Sequence, residues 1–85
     1  MDSSTIRDML LGSIVLEEVH VNSDDGSHFQ ITAIGDIFSG ISPLEREKLI
    51  HRVLKELIVG KQIHAVSIKA YTLMEWKKHR EFSAF

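Results

Sequence analysis

Apolar side chains recur at Ile50, Val53, Leu54, Leu57 and Ile58, with charged residues between them. Steps of three and four residues place this set on one face of an α-helix. Ser42-Pro43-Leu44-Glu45, just ahead, is a capping box with proline at the first helical position, and Gly60 supplies the stop. Two stretches alternate instead. Between Ser27 and Ile34, Phe29, Ile31 and Ala33 face one way and His28, Gln30 and Thr32 the other. Between Ile63 and Tyr71, His64, Val66, Ile68 and Ala70 share a face. Both predict strands. Ile14 to Asn22 is rich in β-branched residues but alternates imperfectly; it predicts a further strand, joined to the next by a tight turn at Ser23-Asp24-Asp25-Gly26. Near the start, Ser3 or Ser4 caps a short helix with Ile6, Met9 and Leu10 on one side, ended by Gly12. Gly35 and Gly40 bracket a loop that carries Ile37 and Phe38. Thr72-Leu73-Met74-Glu75 is a second capping box, and Trp76 packs the last helix onto the sheet. The basic run Lys77-Lys78-His79-Arg80 opposes the dipole at the end of that helix.

The predicted order is α-β-β-α-β-α, an α+β fold in one domain spanning residues 1–85. The tight turn makes the first two strands antiparallel. The long helical crossover favours a parallel pairing of the second and third. The helices are expected on one face of this three-stranded mixed sheet.

Composition narrows the chemistry. The chain has 85 residues, 44% of them hydrophobic, and no cysteine. Disulfides, thiol catalysis and an all-protein thiolate cage are therefore excluded, and any soft metal centre needs thiolates from a partner. There is no apolar run long enough to cross a bilayer and no signal-peptide pattern, which predicts a cytoplasmic protein without membrane contact. The formal charge is −2 with five neutral histidines, so no global basic field attracts nucleic acid at neutral pH. The sequence shows no catalytic triad spacing and no phosphate loop. Asp24 and Asp25 read as turn formers rather than a catalytic pair. An enzyme is not expected.

Several short motifs, in order, carry a family resemblance. They are Gly26-Ser27-His28-Phe29, Phe38-Ser39-Gly40, Ser42-Pro43-Leu44, Ile63-His64-Ala65-Val66, and Tyr71-Thr72 followed by Glu75-Trp76. Over roughly residues 14–80 the chain resembles the BolA-like family, and within it the bacterial group linked to acid stress, which has histidine in the first hairpin. Leu73 departs from the family's usual proline at the opening of the last helix. The resemblance implies a fold like a type II KH domain and a monothiol glutaredoxin as partner. It implies a [2Fe–2S] cluster shared with glutaredoxin and glutathione, which supply thiolates, while this chain supplies His64 and His28. It also implies a chain that is monomeric and cluster-free alone and heterodimeric with its partner. Family members described as transcriptional regulators make DNA binding the alternative, with Lys77, Lys78 and Arg80 as candidate phosphate contacts.

The residues themselves are compatible with this assignment. His28 opens one strand and His64 opens its parallel neighbour, about 4.8 Å away, so the two imidazoles can reach a common point. Without the family, a solvated His28 and a backbone-bonded His64 are the better account of both. His20, His51 and His79 read as surface residues, and a solvated helix end accounts for the basic run as well as DNA does. No Gly-x-x-Gly is present, which argues against the backbone clamp of KH-type RNA binding.

Binding of duplex DNA at neutral pH is expected to be weak and salt-sensitive. Each phosphate contact contributes a slope of about −0.9 in log K against log salt. Fluorescence anisotropy across a salt series, repeated with Lys77, Lys78 and Arg80 replaced together, measures that slope. Tight sequence-selective binding at physiological salt would instead favour the regulator.

Overall fold

The computed structural model describes residues 1–83. Its elements are α1 (Ser3–Ser13), β1 (Glu18–Asn22), β2 (His28–Ile34), a single 3-10 turn (Asp36–Phe38), α2 (Pro43–Val59), β3 (Ala65–Tyr71) and α3 (Leu73–Ser83). The sheet order is β1-β2-β3. β1 runs antiparallel to β2, with Glu18 opposite Ile34 and Asn22 opposite Gln30. β3 runs parallel to β2, with His28 opposite Ala65 and Ile34 opposite Tyr71. The α-β-β-α-β-α order and the mixed sheet match the sequence expectation.

Alternation along β2 builds the core. Phe29, Ile31 and Ala33 are buried together with Val19 from β1 and Ile68 from β3. Ile6 and Leu10 of α1, and Ile50 and Leu54 of α2, close over that face. Full burial of a side chain of this size contributes about 2 kcal/mol. Among the described residues, no helix is long and apolar enough to cross a membrane.

Four local details differ from the sequence reading. The first helix is capped by Asp2, whose carboxylate accepts the Thr5 N–H at 2.9 Å, and it passes through Gly12 to Ser13. The first strand begins at Glu18, not Ile14. The Glu17 N–H still reaches the Ile34 carbonyl at 2.8 Å, but β2 ends there, so Ile14 to Leu16 have no strand to pair with. The third strand begins at Ala65 rather than Ile63, because β2 begins at His28.

The placement of the last helix is a correction. α1 and α2 cover one face, as expected, but α3 does not join them. Thr72 caps α3 directly after β3, leaving no linker to carry it back over the core side. Trp76 instead meets His20 and Tyr71, with ring centres 5.7 and 5.4 Å away. Both residues belong to the opposite face by strand alternation. Ile34 is also fully buried on that side, outside the main core. Trp76 thus packs α3 onto the sheet, from the side left open by the other two helices.

Arg46 locks the junction of α2, β3 and α3. It is the one buried charged residue among those described, 8% exposed. Its Nε donates to the Ile41 carbonyl at 2.8 Å and its Nη1 to the Ala70 carbonyl at 3.1 Å. Nη1 also donates to Glu75 Oε1 at 2.6 Å, and the guanidinium lies 5.9 Å from the centre of the Phe38 ring. Glu75 completes the second capping box: it accepts the Thr72 N–H at 2.8 Å, and its own N–H donates to the Thr72 hydroxyl at 3.2 Å. Hydrogen bonds from Arg46 and from the Thr72 backbone hold the Glu75 carboxyl below its ordinary range.

Glu75→Ala strips a buried cation of its carboxylate and α3 of half its cap. A loss of about 2 kcal/mol is expected, read as a lower urea midpoint. An unchanged midpoint would show that the junction holds without this pair.

Candidate functional site

The parallel register of β2 and β3 starts both strands at one sheet end, with Ala65 level with His28. His64 therefore sits immediately before β3, its N–H donating to the Ser27 carbonyl at 2.9 Å. The rings of His28 and His64 come together with centres 6.3 Å apart and planes 35° from parallel. Both residues are exposed. A bond from imidazole nitrogen to a first-row metal is about 2.1 Å, so two rings spaced this way can flank one ion after small side-chain rotations. The pair predicted from sequence is thus brought to one place.

The hairpin loop that precedes His28 is tied to itself. Gly26 takes φ +75, the left-handed conformation glycine adopts without strain. Its N–H donates to the Ser23 hydroxyl at 2.9 Å. Asp25 Oδ1 accepts from the N–H groups of Ser27 at 2.8 Å and His28 at 2.9 Å. Asp25 Oδ2 lies 2.7 Å from His28 Nδ1. These bonds hold the Asp25 carboxyl well below the usual carboxylate range; the His28 backbone N–H contributes most, followed by the His28 ring and the Ser27 N–H.

Asp25 is the residue of this candidate site that sequence reading missed. It forms the turn, as expected, but it also fixes the His28 ring. An ionised carboxylate only accepts, so Nδ1 of His28 must carry a hydrogen and Nε2 is left for a metal. A carboxylate behind a histidine orients its ring. The signal was an Asp three residues before a candidate ligand, in a turn that folds its side chain back. Among the described residues, no three His, Cys, Asp or Glu side chains gather into a metal cluster. The pair offers two nitrogen donors and no more.

The other singled-out residues lie away from this end. Lys77, Lys78 and Arg80 are exposed on α3, which leaves the opposite end of β3. Arg80 sits over Trp76, 5.9 Å from its ring centre, and His79 stacks on Trp76 at 5.4 Å. His51 is exposed on α2.

A family model described as BolA-like protein matches residues 15–75. This chain belongs to the BolA-like family. The acid stress protein IbaG of Escherichia coli K12 is 44% identical to this BolA-like chain over 85 residues, covering the whole of both. The solution structure of BolA1 from Mus musculus aligns with TM-score 0.80 over 92% of this chain and 70% of that one, at 26% identity. The solution structure of yeast Fra2 aligns with TM-score 0.73 over 92% and 86%, at 29% identity.

The Asp25 interaction of this BolA-like chain has a defined pH dependence. A depressed carboxyl pKa stabilises the loop at all pH values above the ordinary carboxylate value of about 3.9. That contribution is lost only as pH falls through the lower, folded value. Hydrogen exchange should show the Ser27 and His28 amides protected at pH values where a free aspartate is already protonated. In Asp25→Ala both should exchange rapidly at every pH.

Proposed function

We propose that this chain is an iron–sulfur trafficking or sensing adaptor. It pairs with a monothiol glutaredoxin and helps ligate a shared [2Fe–2S] cluster through His64 and His28. The observation that carries this reading is the exposed histidine pair at one sheet end, one member of it aimed by a carboxylate. A cluster of this type takes four ligands. This chain offers two nitrogens and has no cysteine, so the donor set fits a centre whose remaining ligands are a partner's thiolates. Placing two histidines on one iron raises the reduction potential of such a cluster. It also makes the ligation sensitive to acid, because only neutral imidazole binds metal. The name of the acid stress relative agrees with an acid-responsive role for the same pair.

Each residue then has a part. His64 lies just ahead of β3 with no side-chain partner among the described residues, and serves as the principal ligand. His28 presents Nε2 while Asp25 holds Nδ1–H. The bound cluster supplies the redox-active iron and sulfide. The chain supplies position, a pH-sensitive donor pair and the partner-facing surface.

Mixing the protein with a glutathione-loaded glutaredoxin cluster should produce a new visible absorption and circular dichroism spectrum. His64→Ala is expected to abolish that spectrum with the fold intact, and His28→Ala to weaken or shift it. Acidification should release the mixed centre, because protonated imidazole does not bind metal. An unchanged spectrum in folded His64→Ala removes the main support for the adaptor.

A further inference from the structure

β3 is an edge strand, with β2 on one side and, among the described residues, no strand on the other. Its backbone groups alternate in direction. The Ala65 N–H donates to the Ser27 carbonyl at 3.4 Å, and the Tyr71 carbonyl accepts from the Gly35 N–H at 2.9 Å. Ala65, Ser67, Lys69 and Tyr71 therefore direct their N–H and C=O groups at β2. Val66, Ile68 and Ala70 direct theirs outward. The Ala70 carbonyl agrees with this, since it accepts from Arg46 of α2 at 3.1 Å. Among the described residues, the N–H groups of Val66, Ile68 and Ala70 and the carbonyls of Val66 and Ile68 have no partner. β1, the other edge strand, is shorter, five residues against seven.

The surroundings of this edge are selective. A groove of about 450 Å³ runs beside it, between β3 and the residues Pro43, Arg46 and Glu47 of α2. The side chains of Val66, Ile68 and Ala70 point to the core side of the sheet, and that of Lys69 to the outer face. Val66 and Ala70 are half-buried, and Lys69 is exposed. Neither Lys69 nor Glu47 makes an ion pair among the described residues. A strand added here would alternate its side chains between the same two faces. On the core side, apolar side chains extend the surface of Val66 and Ala70 towards Pro43, and Glu47 repels a carboxylate. On the outer face, a carboxylate meets Lys69.

We propose that the free edge of β3 receives an extended segment of a partner protein, apolar on one face and acidic on the other, as a fourth strand of the sheet. A row of unpaired backbone groups is matched by another backbone, the strand-addition mode of peptide recognition. Lys69 then selects the charge of the segment. Arg46 marks one end of the site by occupying the Ala70 carbonyl. The other end is Ala65, directly after His64, so a partner seated here is presented at the histidine pair. A second copy of this chain is the poorer occupant. Two β3 edges related by a two-fold axis place both Lys69 ammonium groups on one face, and an edge lysine deters such self-pairing. The inference needs no metal and stands apart from the shared cluster.

The test uses the full chain without metal and the peptide acetyl-Val-Thr-Val-Glu-Val-Thr-amide, followed by ¹⁵N NMR and amide hydrogen exchange. In the free chain the amides of Val66, Ile68 and Ala70 should exchange faster than those of Ser67, Lys69 and Tyr71, which β2 holds. Peptide at millimolar concentration should shift and protect the first set. Two further versions of the peptide are N-methylated at alternate residues. Only one set of its N–H groups faces β3, so one version should lose binding and the other keep it. Folded Lys69→Glu should bind about fivefold more weakly, and a peptide with lysine in place of its glutamate should reverse that order. Uniformly slow exchange along β3 in the free chain, shifts absent or centred elsewhere, equal binding by both N-methylated versions, or unchanged binding by Lys69→Glu would overturn the proposal. Protection of Val66, Ile68 and Ala70 that grows with protein concentration alone would give the edge to a second copy and overturn it too. No metal is present, so these results leave the His64→Ala spectrum test untouched.

Discussion

The parallel pairing of β2 with β3 is the constraint on which the rest of the molecule depends. β2 is the central strand, and its alternation is driven by burial of Phe29, Ile31 and Ala33. A slip of one residue would turn that set to the outside and carry His28 inward. The hydrophobic register is therefore also the register of the candidate site. It fixes Ala65 opposite His28 and thereby stations His64 beside it. No polar interaction between the two imidazoles is needed to bring them together. The core does so, at a distance, through the strand it fixes.

Arg46 has the same role at the other end of the sheet. Its guanidinium bonds to carbonyls of the loop before α2 and of β3, and to the carboxylate that caps α3. A buried charge broken by removal of its partner is costly, so the group favours one arrangement of these three segments. That arrangement sends α3 across the outer face, where Trp76 meets His20 and Tyr71. The Trp76 indole N–H is buried there without a partner among the described residues, at a cost of about 1–3 kcal/mol. The aromatic contacts with His20, Tyr71 and His79 offset it.

What the sequence made legible follows from the range over which each signal acts. The hairpin, the Ser42 helix cap, the Thr72–Glu75 capping box and the alternation of β2 are local, and all are in place. The histidine pair was singled out by the family resemblance, and strand order with a long crossover then suffices to put the two strand starts side by side. The errors lie where the outcome depends on distant partners. Ile14 to Leu16 have strand-like composition, but β2 is not long enough to pair with them. Arg46 looks like an ordinary surface charge on α2, since its partners lie 24 and 29 residues away. The side taken by α3 depends on that same junction. Asp25 is intermediate: its turn role was readable, but its grip on His28 depends on how the side chain folds back.

The two histidines are held differently, and the difference has a consequence for the chemistry. His28 is gripped from behind, with its ring nitrogen and its backbone both bonded to Asp25. Among the described residues, His64 has only a backbone bond, to Ser27. In the proposed adaptor, His28 is aimed by Asp25 and the His64 ring makes no hydrogen bond among the described residues, which lets the pair close on a metal brought by another protein without distorting the sheet beneath it. The Asp25 carboxylate that holds His28 stays ionised well into acid, so the loop that presents the ring keeps these bonds there.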